Sequence, residues 1–254
     1  MTLGLPLSTL YAFLLVLARV GGFITFLPVP GFRAAPDSVR IGLALVITFA
    51  LLPVWPMLPN AEPALGQLVA WAFLEAGFGL VVGLAISFLM EAFQVAMQTA
   101  AVHAGYGFAT TIDPTSEADS GVLQTMAALF CGILFFTTGL DQQLIRLLAA
   151  SFVRFPAGSW APSAASLDGI VRLGSDMFSV GIRVALPIVA LLILIDFALA
   201  LLGRVQQQLQ LLSMAFPVKM AAALALLAVL APVIPKIFSS AAQHTLEMLW
   251  KALS

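Results

Sequence analysis

Three stretches of this chain, each 21 residues long, contain no Asp, Glu, Lys or Arg, and they limit the possible folds more than any other feature. They run from Ile41 to Ala61, from Ala92 to Ile112 and from Ser120 to Leu140. About 20 apolar residues in a helix are enough to cross the hydrocarbon core of a bilayer. Only 9% of the residues are charged, against roughly 25% in a typical soluble domain. The sequence therefore predicts an integral membrane protein or a part of an apolar assembly.

The apolar segments are continuous and rich in Leu and Ala, whereas the strands of a membrane barrel alternate apolar and polar residues. We therefore predict an all-α fold, a single domain over residues 1–254. Arg19 is the first basic residue and lies inside the first apolar segment. Because a secretory signal would carry its charge earlier, we expect this segment to be retained. The segments lie roughly at 8–29, 41–59, 64–90, 92–112, 120–140, 175–202 and 209–232.

One segment is too long for an ordinary membrane span. No proline occurs between Pro63 and Pro114, and 64–104 could form one helix of about 60 Å, twice the thickness of the bilayer core. Two spans would need a turn near 87–94, where there is no Gly, Pro or Asn. We therefore predict one long, kinked helix instead of a hairpin.

The distribution of basic residues does not fit a simple alternating topology. Basic residues next to membrane spans normally lie on the cytoplasmic side. If 64–104 crosses the bilayer once, Arg146 and Arg154 fall on the outer side. If it crosses twice, Arg204 and Lys219 fall there instead. Either a further re-entrant segment exists or the helices do not alternate across the bilayer in the usual way.

Charged residues within apolar segments are costly and suggest a function or a charged partner. Two of them, Glu75 and Glu91, lie at the ends of a ridge with an i+4 spacing. Its small central residues would allow another helix to approach closely. We favour a packing face whose acidic ends pair with Arg or Lys on a neighbour; a proton or ion path through Glu91 is the alternative. The ridge consists of Glu75, Gly79, Gly83, Ser87 and Glu91, and the other charged residues in apolar segments are Arg19, Arg183, Asp196 and Lys219.

The segment RVQQQLQLLSMAFPVKM, residues 204–220, places four glutamines between apolar stretches. Side-chain amides in lipid lack hydrogen-bond partners. The segment must therefore lie at a surface, in a subunit contact or along a wet channel. We favour a subunit contact that includes Arg204, Gln208 and Lys219.

Residues that carry chemistry are scarce. His103, His244 and Cys131 are far apart and have no metal-ligand spacing. Motifs of nucleotide-binding or hydrolytic enzymes are missing. The net charge of −1 includes no basic or acidic run that would suit nucleic acid. We expect neither an enzyme nor a metal or other cofactor.

Three stretches of the chain carry motifs that belong together. The first, 18–53, has an arginine in the first apolar segment and a Pro-x-Pro-Gly break. The second, 103–158, has a Gly-aromatic entry, Asp-Pro, a polar loop, an apolar helix, Ser-Phe and Pro-x-Gly. The third, 202–220, has Leu-Gly-Arg, glutamines and Pro-x-Lys. In their order and spacing, which cover nearly the whole chain, these stretches together resemble the FliR family of the flagellar and type III secretion export gate.

The resemblance implies a non-enzymatic subunit of the flagellar export gate in the bacterial inner membrane, within the basal body. It would assemble with FliP and FliQ into a helical ring around a pore for unfolded flagellar proteins, in contact with membrane lipid and with FlhB and FlhA nearby. It also implies a part similar to FliP, at about 1–170, and a part similar to FliQ, at about 171–254.

The same resemblance assigns a role to the polar loop GYGFATTIDPTSEADSG, residues 105–121. In the family this loop helps to close the pore before export; a flexible linker is the alternative from the residues alone. Gly105 and Gly107 permit backbone motion, and two apolar side chains offer bulk for a constriction. The implied pore-gating residues are Tyr106, Phe108, Thr110, Thr111, Ile112, Asp113 and Pro114.

Two departures from the family pattern stand out: Gln207-Gln208 replaces the usual Pro-Gln, and Asp141-Gln142-Gln143 stands where the family often has His. Without the proline, the kink that the family has at 207–208 is in doubt. Without the His, any role of that residue at 141–143 is in doubt. Alternative functions are a structural scaffold, a membrane enzyme with a site in 105–121, and a secondary transporter for a small solute. The transporter would use Glu75, Glu91, Arg183 and Asp196, but the internal repeat that such proteins commonly show is not evident.

Overall fold

The computed structural model describes residues 6–28, 35–56, 63–106, 122–205 and 211–253. These residues form α-helices, one short 3-10 turn and connecting segments, with no strand among them. The all-α prediction is therefore confirmed. The helices are α1 (Leu7–Thr25), α2 (Asp37–Ala50), α3 (Leu65–Ala104), α4 (Val122–Thr137), α5 (Leu140–Arg154), α6 (Ala164–Val205), α7 (Leu211–Leu230) and α8 (Ile234–Leu253).

Helix α3 is a single helix of 40 residues. The prediction of one long helix in place of a hairpin is confirmed. It ends at Ala104, and the next residue, Gly105, has a φ of 87°, which suits a residue without a side chain. The N–H groups of Gly105 and Tyr106 donate to the carbonyls of Val102 and Ala101 at 3.2 and 3.0 Å. These two bonds form a Schellman cap that satisfies carbonyls of the last turn.

Helix α6, with 42 residues, starts at a reciprocal cap. The Ser166 N–H donates to the Ser163 hydroxyl at 3.1 Å, and the Ser163 N–H reaches the Ser166 hydroxyl at 3.5 Å. Because of this cap the helix begins at Ala164, well before the apolar segment that the sequence marks at 175–202.

Three helices, α1, α3 and α6, are long and apolar enough to cross a membrane among the described residues. Two helix pairs are each bent at a short break, α4 and α5 by 62° and α7 and α8 by 67°. Each pair fits either one broken span or a re-entrant segment. A re-entrant segment is one of the two arrangements that the conflicting charge distribution allows.

The chain divides into two compact units that interleave along the sequence. Unit 1 comprises Met1–Phe88, Phe135–Leu173 and His244–Ser254, and unit 2 comprises Leu89–Leu134 and Gly174–Gln243. In unit 2 the buried core is built from small and aliphatic residues of α3, α4, α6 and α7. Its members are Met97, Ala100, Ala104, Ala127, Ile188, Leu192 and Ala223.

Candidate functional site

Unit 1 contains a buried arginine that makes several polar contacts. Arg19 of α1 is completely buried and its Nε forms an ion pair with a carboxylate oxygen of Glu75 on α3, which is also buried. Its two terminal nitrogens donate to the Ser151 hydroxyl of α5 at 2.8 Å and to the Phe155 carbonyl at 3.1 Å. All three nitrogens of the guanidinium therefore have acceptors inside the protein.

The partners of Arg19 are themselves hydrogen-bonded. The second oxygen of Glu75 accepts the Gly158 N–H at 2.8 Å. The Ser151 hydroxyl donates to the Leu148 carbonyl at 2.7 Å. A buried ion pair is stable only when its remaining hydrogen-bonding capacity is satisfied in this way. This Arg19 cluster joins α1, α3, α5 and the loop after α5.

Two aromatic rings cover the guanidinium. Its central carbon lies 4.4 Å from the centre of the Phe78 ring and 4.0 Å from that of Phe152. Both distances are within the range of favourable cation–π contact, which is stronger when water is excluded. Because the guanidinium is enclosed by rings and hydrogen-bond acceptors, the Arg19 cluster is suited to structure and not to catalysis.

Glycines of the predicted ridge lie against α1 of the same chain. A methyl group at Gly79 would overlap the Arg19 carbonyl oxygen, and one at Gly83 would overlap the Phe23 carbonyl oxygen. The close approach of α1 and α3 therefore depends on these glycines. Ser87, further along the ridge, is buried, and Glu91, in unit 2, is half-buried.

In unit 2 the structure joins two other predicted residues. The Lys219 ammonium on α7 contacts both carboxylate oxygens of Asp196 on α6, at 2.8 and 2.9 Å. This pair is far less buried than the first, because the side chain of Asp196 is 50% exposed and that of Lys219 12%. Arg183 and Arg204, also on α6, are exposed.

The predicted gating loop lies almost entirely outside the described residues. Tyr106 is half-buried and packs against the core of unit 2. Partial burial raises the pKa of its phenol above the ordinary value. The predicted residues outside the described part are Phe108, Thr110, Thr111, Ile112, Asp113, Pro114 and Gln208.

Unit 2 also has an open apolar groove of about 440 Å³ between α3, α4, α7 and the start of α8. Met97, Phe130 and Leu227 are among the residues that line it. Such a groove can accept an apolar chain or side chains but offers few polar groups. Among the described residues no cluster of His, Cys, Asp or Glu could hold a metal ion.

The amino-acid sequence of this chain is similar to those of known proteins. Residues 10–245 match the model of the family described as "Bacterial export proteins, family 1". The chain belongs to that family. A relative named "Flagellar biosynthetic protein FliR", from Escherichia coli strain K12, is 31% identical over 229 residues, which cover 90% of this chain and 87% of the relative.

Two further relatives are less similar to this chain. The Bacillus subtilis protein with the same FliR name is 28% identical over 253 residues, covering 96% of this chain and 95% of the relative. "Yop proteins translocation protein T" of Yersinia pestis is 25% identical over 229 residues, covering 87% of this chain and 85% of the relative. The resemblance to the FliR family is therefore confirmed, and the relatives' names give no support to a solute transporter.

The sequence did not reveal what surrounds Arg19. Ser151, Phe152 and the Phe155 carbonyl all lie in or next to α5, which is amphipathic and falls outside the apolar windows. A signal was present, because Leu140, Leu144, Leu147, Leu148 and Ser151 recur at a helical spacing.

Proposed function

We propose that this protein is a non-enzymatic core subunit of the flagellar type III protein export gate. The match to bacterial export proteins over residues 10–245 is the observation that carries the proposal. The structure is compatible with it, because long apolar helices suit a membrane location. In this role the subunit helps to form and close a pore through which unfolded flagellar proteins leave the cell. The proposed location is the inner membrane within the flagellar basal body.

The proposed partners are FliP and FliQ, with which the chain would form a helical ring, and the export components FlhB and FlhA. The segment at about 1–170 would occupy a position like that of FliP and the segment at about 171–254 one like that of FliQ. Exposed apolar surface on α6 supports an assembly role, since Ile182, Leu186 and Phe197 are each more than half exposed in the isolated chain. Such surface needs lipid or a protein neighbour to cover it.

We assign the closure of the pore to residues 106–114, the predicted gating loop. Replacing both Phe108 and Ile112 by Gly removes the apolar bulk, so the closed gate should leak ions while the chain still assembles. Ion flux across membrane vesicles measures this effect, and a Ser116→Gly variant, in the same polar loop but outside residues 106–114, is the control. Unchanged flux with normal assembly would assign the loop to a linker.

The export role itself is tested by complementation. The gene for this chain is deleted from its own host, and the secreted flagellar proteins in the medium are measured along with swimming. We expect both to be lost and to return when the chain is supplied again. Normal secretion in the deletion strain would contradict the proposal, and loss of injected virulence proteins alone would assign the chain to an injection system.

A further inference from the structure

The outward face of α6 in unit 2 is a regular helix-packing seam. Its members follow one another at alternating spacings of three and four residues, the pattern with which one helix packs along another. All of them are exposed in the isolated chain. The α6 seam consists of Arg183, Leu186, Ala190, Ile193, Phe197 and Ala200.

Apolar residues alone would not distinguish a protein partner from lipid, since lipid tails are as apolar as leucine. Asp196 does distinguish them. It lies beside the seam, three residues after Ile193 and four before Ala200, and its side chain is half exposed. Between Val184 and Gly203 it is the only charged residue. That run is about 30 Å long as a helix, the thickness of the bilayer core.

The Lys219 ammonium by itself does not use all the hydrogen-bonding capacity of the Asp196 carboxylate. The single ammonium contacts both carboxylate oxygens, but a carboxylate can accept about four hydrogen bonds. Half of the Asp196 side chain is exposed in the isolated chain, and hydrocarbon tails offer no donor to its remaining capacity. A half-exposed charge within an apolar run of this length needs a polar neighbour.

We propose that the α6 seam docks an apolar membrane helix of another subunit, and that this helix carries a hydrogen-bond donor at the level of Asp196. The donor is a Ser, Thr, Asn, Gln or basic side chain. The small residues Ala190 and Ala200 let the two backbones approach closely, as in other membrane helix pairs. This inference rests on the proposed assembly role and adds the surface and the chemistry of the contact.

The first experiment compares matched tryptophan variants of the full-length tagged chain in its own host. Ala190→Trp fills the seam; Ala198→Trp is the control, because Ala198 is also exposed on α6 but lies off the seam. We expect at least a tenfold loss of co-purifying export subunits with Ala190→Trp and no loss with Ala198→Trp. Ala200→Trp is a second seam variant in case Ala190→Trp unfolds, which thermal unfolding in detergent reveals.

The second experiment identifies the occupant. A photoreactive residue replaces Ile193, and mass spectrometry identifies the cross-linked peptide. We expect a peptide from an apolar helix of another export subunit with a donor side chain close to the attachment point. Adducts only to lipid or to a second copy of this chain would overturn the inference. So would labelling of Asp196→Cys in the assembled complex by a water-soluble maleimide, because Asp196 would then face water.

The outcomes separate the seam from the proposed function. If export subunits co-purify equally well with Ala190→Trp, Ala200→Trp and the unaltered chain, the proposed docking of a helix at the α6 seam is wrong. The export role is then unaffected. If no export subunit co-purifies with the unaltered chain, the export role itself is wrong.

Discussion

The two ion pairs within apolar helices differ in how completely the chain surrounds them. Arg19 and Glu75 are buried, and the other hydrogen bonds of both groups are made within unit 1. Asp196 and Lys219 contact each other in unit 2, but half of the Asp196 side chain remains exposed. The first pair is a structural element whose hydrogen bonds are satisfied within the chain, whereas the second is suited to a contact with a neighbouring subunit.

Breaking the buried pair should have the largest effect on stability. Arg19→Met leaves the Glu75 carboxylate buried without its counter-charge, and such changes typically cost about 3–5 kcal/mol. We expect the variant to be nearly lost from the membrane fraction. The double variant Arg19→Met/Glu75→Leu should recover part of the loss, because neither charge is then left alone. Thermal unfolding in detergent of the single variants Arg19→Met and Glu75→Leu and of the double variant measures the coupling.

The stabilities of the single variants could also contradict this role of the Arg19 cluster. If the single variants are as stable as the unaltered chain to within about 1 kcal/mol, the cluster does not have the role that its burial indicates.

The packing of α1 on α3 should be the next most sensitive feature of unit 1. Gly79→Ala forces a methyl group into the Arg19 carbonyl oxygen, and overpacking of this kind typically costs about 1–3 kcal/mol. Gly42→Ala on α2 is the matched control, because nothing lies within 4 Å of the added methyl. There alanine should raise helix stability by up to about 1 kcal/mol. Equal shifts of the melting temperature in the two variants would refute this packing.

Neutralising the exposed pair should affect assembly more than the fold of the chain. Asp196→Asn should change the unfolding free energy of the isolated chain by less than about 1 kcal/mol, as for other partly exposed pairs. Recovery of export subunits should fall several-fold, since an amide is a weaker acceptor for the partner's donor. The control is Asp168→Asn, which removes an exposed 2.7 Å ion pair with Arg172 on the same helix. Equal recovery with both variants would argue against a partner at Asp196.

The smallest effect on stability is expected from removing the contact between Arg154 and the C-terminal end of α8 in unit 1. The Arg154 guanidinium lies 5.3 Å from the centre of the Trp250 ring, and an exposed cation–π contact contributes about 0.5–1 kcal/mol. Arg154→Ala should speed hydrogen exchange in the last turns of α8, whereas Arg154→Lys should keep most of the protection. Unchanged exchange in both variants would show that other contacts hold this end.

Much of the fold could be predicted from the sequence where the signal is local. The length of α3 followed from the missing turn residues near 87–94, and the all-α class from continuous apolar runs. Helices α5 and α8 were missed because each buries only one face, so no window of high hydropathy marks them. The bend between α4 and α5 depends on Gly139, which adopts a φ of 69°, and a single glycine is a weak signal in sequence.

The candidate site was only partly predictable for a different reason. The ridge from Glu75 to Gly83 is visible in sequence as a packing face, but its partner is not. That partner is Arg19 on α1, and Ser151 lies 132 residues further along the chain from Arg19. Contacts at such separations are set by tertiary packing, which local periodicity does not encode. Asp196 and Lys219 were recognisable as unusual charges, but their unequal exposure emerges only from the fold.

Native mass spectrometry of the tagged chain, extracted gently in detergent from its own host, tests the central claim most directly. If the protein is a subunit of the export gate, one copy should leave the membrane together with several copies of other small helical proteins. Release as a single chain, or as a symmetric homo-oligomer, would contradict the account.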